Sequence, residues 1–194
     1  NKKVFADLGI EVPKDWASFT AAAAKIKAAG ITPVEQTYGD SWTSQLFVLG
    51  DFGNILAQDP QWAEEYTANK AKYVDQPAFE GFQHTAEIKE KGLINKDFAS
   101  MTNAQAMDAL TNGTGAQYPL LSASIATVQQ NEPDKVNDIG VFAIPAPKAE
   151  DTAITMWQPN GIYIPKSTTG DKLDAAKKLT DKGMIVEEVD ITPF

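Results

Sequence analysis

Apolar residues recur at helical spacing early in the chain. Trp16, Phe19, Ala23 and Ile26 are separated by three, four and three positions, which places them on one face of a helix. Asp15 after Pro13 supplies an N-cap, Ala21 to Ala24 add propensity, and Gly30 suits the left-handed residue that ends a helix. Ile31 to Val34 reads as a short strand with Pro33 at an edge or start. The polar, glycine-containing loop Gln36 to Trp42 follows, and a helix is expected from Trp42 to Leu49. Asp59-Pro60 opens another short helix, and Lys72 to Val74 reads as a strand. A better helix begins at Asp75-Gln76-Pro77, with Phe79, Phe82 and Ala86 as its apolar stripe and Gly92 past its end.

Thr102 and Gln105 form a capping box for a helix that stops at Gly113. Gly115 to Tyr118 then reads as a strand, and Ser122 or Ser124 caps a helix reaching about Gln130. Asp138 to Ala143 and Gly161 to Ile164 read as strands stopped by prolines, and a last helix runs from about Leu173. Helices alternating with short strands predict an α/β fold with a mostly parallel or mixed sheet. Segments near Ile31, Gly115, Ile139 and Ile162 should form that sheet, flanked by the helices from Trp16, Pro77 and Thr102. Ligands of open α/β sheets sit beyond the carboxyl ends of strands. That rule draws attention to the loops after Val34, after Tyr118 and around Trp157.

Composition narrows the chemistry. The 194 residues carry a formal charge of −9, so a phosphate backbone is repelled and nucleic acid is an unsuitable partner. No basic cluster suits an anionic membrane surface, and no apolar run approaches the roughly 20 residues of a membrane span. Cysteine is absent and His84 is the single histidine. Zinc sites of the cysteine type, multi-histidine metal centres and thiol nucleophiles are therefore excluded, and no metal or cofactor is expected. All 17 basic residues are lysines. Without arginine the chain has no bidentate clamp for carboxylate or phosphate, which favours a neutral ligand.

Five segments carry a family resemblance in order and spacing: NKKVFADLGIEVPKDWASFTAAAAKIKAAG from Asn1, KGLINKDF from Lys91, NGTGAQYP from Asn112, DIGVFAIP from Asp138 and WQPNGIYIPK from Trp157. Together they resemble the extracellular solute-binding proteins of carbohydrate ABC importers, the family that includes maltose-binding protein. The resemblance implies a periplasmic-binding-protein-like (class II) fold of two α/β lobes, with sugar held in the cleft between them. By that pattern residues 1–155 resemble the second lobe, and residues 156–194 the hinge return and the start of re-entry into the first. Residues 180–194 do not follow the pattern, and an isolated chain of this extent is expected to bind sugar weakly or not at all.

The same resemblance implies a non-catalytic, monomeric component that hands a sugar or oligosaccharide to a membrane permease. It would be periplasmic, or extracellular and anchored as a lipoprotein. A sugar site needs flat aromatic rings against pyranose C–H faces and polar groups paired to hydroxyls. Trp42 corresponds to a position where the family presents a stacking aromatic, with Asp40 beside it to pair hydroxyls. Tyr118 lies where a family strand reaches the cleft, and Trp157 and Asn160 lie in the hinge return. Ala123 stands where many members carry a further tryptophan. Each aromatic has a competing reading as core. Trp16 and Trp62 fit packing better than binding, and His84 is expected to be exposed. Two other functions fit the composition: a glycosidase using two of the 26 acidic residues, or the same fold binding a peptide or amino acid.

Overall fold

The computed structural model describes residues 1–156 and 163–180, which fall in two compact units, Asn1–Thr155 and Met156–Phe194. In the first unit, α1 (Lys2–Asp7) precedes α2 (Trp16–Ala28) and β1 (Thr32–Val34). A 3-10 turn (Ser41–Gln45) leads into α3 (Leu46–Gly50), α4 (Phe52–Gln58) and α5 (Trp62–Thr67). After α6 (Glu80–Glu90) come α7 (Asn103–Asn112), β2 (Gly115–Gln117) and α8 (Ser124–Asn131), then 3-10 turns at Pro133–Asp138 and Ala149–Asp151. In the second unit, α9 (Asp171–Thr180) starts after Gly170, with Asp171 and Asp174 in its first turn and Lys177 and Lys178 in its last. That charge order suits the helix dipole.

Local signals act where the sequence placed them. Asp15 accepts from the Ser18 amide at 2.7 Å and Ser18 reciprocates, so α2 has a full capping box. Thr102 and Gln105 do the same for α7, and Gly113 ends that helix at φ 82°. β1 and β2 pair in parallel, Thr32 beside Gly115 and Val34 beside Gln117, and Ile94 adds a parallel bridge to Val34. Pro33, which has no N–H, lies between the two paired positions.

The main core joins Trp16, Phe19 and Ala23 of α2 to Val34, Phe47, Ile88 and Leu93. Val4, Phe5, Ile26 and Ala116 make a second group, and Ile55, Trp62 and Ala78 a third. The short sheet is therefore sandwiched by helices, and its carboxyl ends open towards the loops that start at Glu35 and Tyr118.

Several expectations are corrected. The strand expected over Asp138–Ala143 does not form: Asp138 closes a 3-10 turn, and residues 139–146 are irregular. The carbonyls of Ile144 and Ala146 accept from Asn54 Nδ2 and the Trp16 N–H, so the segment is strapped to helices instead of a sheet edge. The sheet among the described residues has two strands, and Gly161 and Ile162 lie outside those residues. Lys72 to Val74 is a turn. The Trp42–Leu49 helix is a 3-10 turn followed by α3. Helix α6 buries Gly81, His84 and Ile88, while Phe79, Phe82 and Ala86 face outward. His84 is thus buried, because Gly81 lets α6 lie close against Asp51 and Val48.

Candidate functional site

Beyond Val34 the chain stays buried although it turns polar: Glu35, Gln36 and Thr37 are each no more than 4% exposed. Buried polar groups need partners. The Gln36 backbone finds Asn95, whose side chain accepts from the Gln36 N–H at 2.8 Å and donates to its carbonyl at 3.1 Å. Asn95 also donates to Asp97. Gly39 lets this loop lie flat on the 98–101 loop, since a Cβ there would stand 2.7 Å from the Met101 carbonyl. The Tyr38 and Gly39 amides donate to Phe98 and Met101 carbonyls across that contact.

A second network ties the loop to α7 and β2. Thr43 donates to the Thr37 carbonyl at 2.6 Å, and the Thr37 hydroxyl lies 2.9 Å from the Thr43 hydroxyl and 2.7 Å from the Tyr118 phenol. Tyr118 donates to Asn103 Oδ1 at 2.9 Å. The Asn103 amide, first in α7, donates to Asp40 Oδ2 at 2.6 Å. The structure therefore brings Asp40 and Tyr118 into one hydrogen-bonded group through Asn103. Trp42 sits in the 3-10 turn between Asp40 and Thr43 and is 45% exposed. Trp157 and Asn160 lie outside the described residues.

Electrostatics at this shelf favour uncharged groups. Burial, and then the charge of Asp97, push the Glu35 carboxyl up to about 7. Its Oε2 has no hydrogen-bonding partner among the described residues, and its side chain packs over Gly115, where only a hydrogen fits. Burial also raises the Tyr118 phenol, against the Thr37 hydrogen bond and with Asp40 and Glu35 adding to the rise. Gln36 Nε2 and Gln117 Oε1 are likewise buried without partners among the described residues. Among the described residues no group of three acidic, histidine or cysteine side chains could hold a metal ion, and no helix is long and apolar enough to cross a membrane.

Sequence reasoning marked the loop after Val34 but did not single out Glu35, Gln36, Thr37 or Thr43. A run of polar residues directly at the carboxyl end of a strand was the available signal. Asn95 and Asn103 had none, because their roles depend on partners 59 and 63 residues away.

A small parallel sheet walled by helices, with a polar shelf and an exposed tryptophan at its strand ends, is the architecture of a periplasmic-binding-protein-like lobe. Solved structures bear this out at the level of fold. A chitin oligosaccharide binding protein superposes with a TM-score of 0.64 at 23% identity, over 75% of this chain and 36% of that one. A solute-binding protein in complex with raffinose, RafE, gives 0.62 at 22% identity, over 78% and 40%. A sugar transporter from Bacillus licheniformis in complex with stachyose gives 0.59 at 17% identity, over 93% and 47%.

Residues 1–181 match the profile of bacterial extracellular solute-binding proteins, and the chain belongs to that family, whose members bind solutes and are non-catalytic. The multiple sugar-binding protein of Streptococcus mutans serotype c is 26% identical over 152 residues. The match covers 76% of this chain and 36% of that protein, so the chain spans little more than a third of its curated relative.

Proposed function

We propose that this chain is the second lobe, residues 1–155, and the hinge return with the start of re-entry into the first lobe, residues 156–194, of a substrate-binding component of an ABC importer for a sugar or oligosaccharide. The observation that carries the reading is Trp42, an exposed indole held on a hydrogen-bonded polar shelf at the ends of two parallel strands. Its ring offers a flat apolar face to a pyranose, while Asp40 offers a carboxylate to hydroxyls. The Tyr118 hydroxyl is occupied by Thr37 and Asn103, so Tyr118 contributes its ring and holds the shelf. By the family resemblance, Trp157 and Asn160 are proposed as further ligand contacts.

The relatives favour a carbohydrate over a peptide, since two of them are in complex with raffinose and stachyose and a third is a chitin oligosaccharide binding protein. The absence of arginine points the same way. In this reading the two lobes close on the sugar by a hinge motion, and the closed form docks on a membrane permease outside the cytoplasmic membrane, free in a periplasm or tethered as a lipoprotein. Calorimetry on the full-length protein with raffinose, stachyose and chitotriose tests it. Saturable binding of one of them that is lost in Trp42→Ala supports the reading, and no heat from any sugar overturns it.

A further inference from the structure

The hydrogen-bond inventory around Tyr118 leaves one donor group unspent. A phenol has a single hydrogen, and that of Tyr118 goes to Asn103 Oδ1. Thr37 stands 2.7 Å away on the other side of the same oxygen. The Thr43 hydrogen is spent on main-chain carbonyls, those of Thr37 and Asp40. Asp40 Oδ2 is spent on the Asn103 backbone amide. Two groups remain: the Asn103 Nδ2 amide, with two hydrogens, and Asp40 Oδ1. Neither has a hydrogen-bonding partner among the described residues, and both residues are half-buried.

We propose that Asn103 is a specificity-determining residue of the sugar site. Its side-chain amide and Asp40 Oδ1 grip two adjacent hydroxyls of one pyranose ring, the ring that stacks on Trp42. This rests on the carbohydrate reading above. The chemistry follows from complementarity. A vicinal diol presents neighbouring oxygens that each donate and accept, and a carboxylate oxygen beside an amide N–H₂ supplies one acceptor and one donor. The bond between the Asn103 backbone amide and Asp40 locks the two residues together, so the pair is arranged before a ligand arrives and little side-chain entropy is lost on binding. Tyr118 acts through Asn103: by donating to Oδ1 it fixes which end of the side-chain amide is oxygen and leaves the Nδ2 donors for the ligand.

Asn103→Asp separates this role from a structural one. The substitution keeps an oxygen for Tyr118, replaces the amide donors with a second acceptor oxygen, and adds a charge beside Asp40, which Asn103→Ala controls for. Calorimetry on the full-length protein with the tightest of raffinose, stachyose and chitotriose should show about a tenfold weaker Kd for Asn103→Asp. Asn103→Ala, which adds no charge beside Asp40, should weaken binding by at least as much, with both variants checked by thermal unfolding. Wild-type affinity in either variant overturns the proposal. If Trp42→Ala loses binding while Asn103→Asp does not, the carbohydrate reading stands and the diol grip falls. If the wild-type protein binds none of the three sugars, both fall together.

Discussion

Two tryptophans of this chain each stand at the first turn of a helical element, and the structure treats them oppositely. Trp16 is 8% exposed and Trp42 is 45% exposed. Trp16 is enclosed on every side: it stacks on His84 at 3.7 Å and on Phe19 at 5.0 Å, meets Phe47 edge-on at 6.0 Å, and donates its indole N–H to Glu87 at 2.7 Å. Trp42 makes no ring contact with another aromatic among the described residues, yet its backbone is fixed on either side, by the Thr43 hydroxyl donating to the Asp40 carbonyl and by the Asp40 carboxylate accepting from the Asn103 amide. One indole is packed by its environment, and the other is displayed by it. A displayed ring on a fixed backbone is what a ligand surface requires, and a packed ring with a bonded N–H is what a core requires.

Substitution tests the contrast most sharply. Trp16→Ala is expected to cost about 3–5 kcal/mol of stability, the scale for removing a large buried aromatic, measured by urea unfolding of the chain. A loss under about 1 kcal/mol would mean that the Trp16 stack is not core. Trp42→Ala should reverse the pattern. In the full-length protein it is expected to remove about 1–3 kcal/mol of sugar affinity, read by calorimetry, and to leave the melting temperature nearly unchanged. A sharp fall in melting temperature with affinity intact would make Trp42 a packing residue.

Smaller effects come from the polar groups beside each ring. Asp40→Ala should cost about 1 kcal/mol of stability, because the first amide of α7 loses its carboxylate partner. A chemical-denaturation midpoint equal to wild type would show that the Asp40–Asn103 bond adds nothing to the shelf.

The two regions should also titrate in opposite senses. Burial lowers His84 to about 4, against the pull of Glu87, so the folded chain holds it neutral. Its contribution is complete above the unfolded value of 6.5, declines as pH drops below that, and is lost as pH falls through about 4. Glu35, raised from 4.5 to about 7, behaves in reverse: its contribution is complete below 4.5 and is lost as pH rises through about 7. His84→Gln should therefore flatten the acid limb of a stability–pH curve, and Glu35→Gln the limb approaching neutrality. The second change should be partial, because Asp51, raised by burial to about 6, retains the same sign. Identical pH curves for wild type and Glu35→Gln would place that carboxyl in water.

Local chemistry explains which parts of the fold were legible. The capping pairs Asp15–Ser18 and Thr102–Gln105 and the stop at Gly113 act over three or four residues, so their signals lie side by side in the chain. Strands at Thr32–Val34 and Gly115–Gln117 were also readable, because each closely follows the glycine that stops a helix, Gly30 and Gly113. Helix α1 was not, because only Val4 and Phe5 of its six residues are buried, against Ile26 and Ala116 from elsewhere in the chain. The polar loop after Val34 was recognised as the place to look, but its network was not, since its bonds reach to Asn95, Asn103 and Tyr118.

Helix α6 shows where sequence stops and tertiary structure decides. Phe79, Phe82 and Ala86 share a helical face, but so do Gly81, His84 and Ile88, at the same spacings of three and four. Periodicity states which residues travel together and is silent about which face meets a partner. The second face won because Gly81 permits close approach to Asp51 and Val48, and the His84 ring fits against Trp16. Phe79 and Phe82 were left stacked on each other, 38% and 44% exposed, beside Tyr73. The sequence by itself determined the α/β class, the caps, the two paired strands and the absence of cysteine and arginine chemistry. Which aromatic faces are buried, and which polar atoms are left unpaired at the strand ends, depended on contacts between residues far apart in the chain. Such contacts form only once the helices have packed.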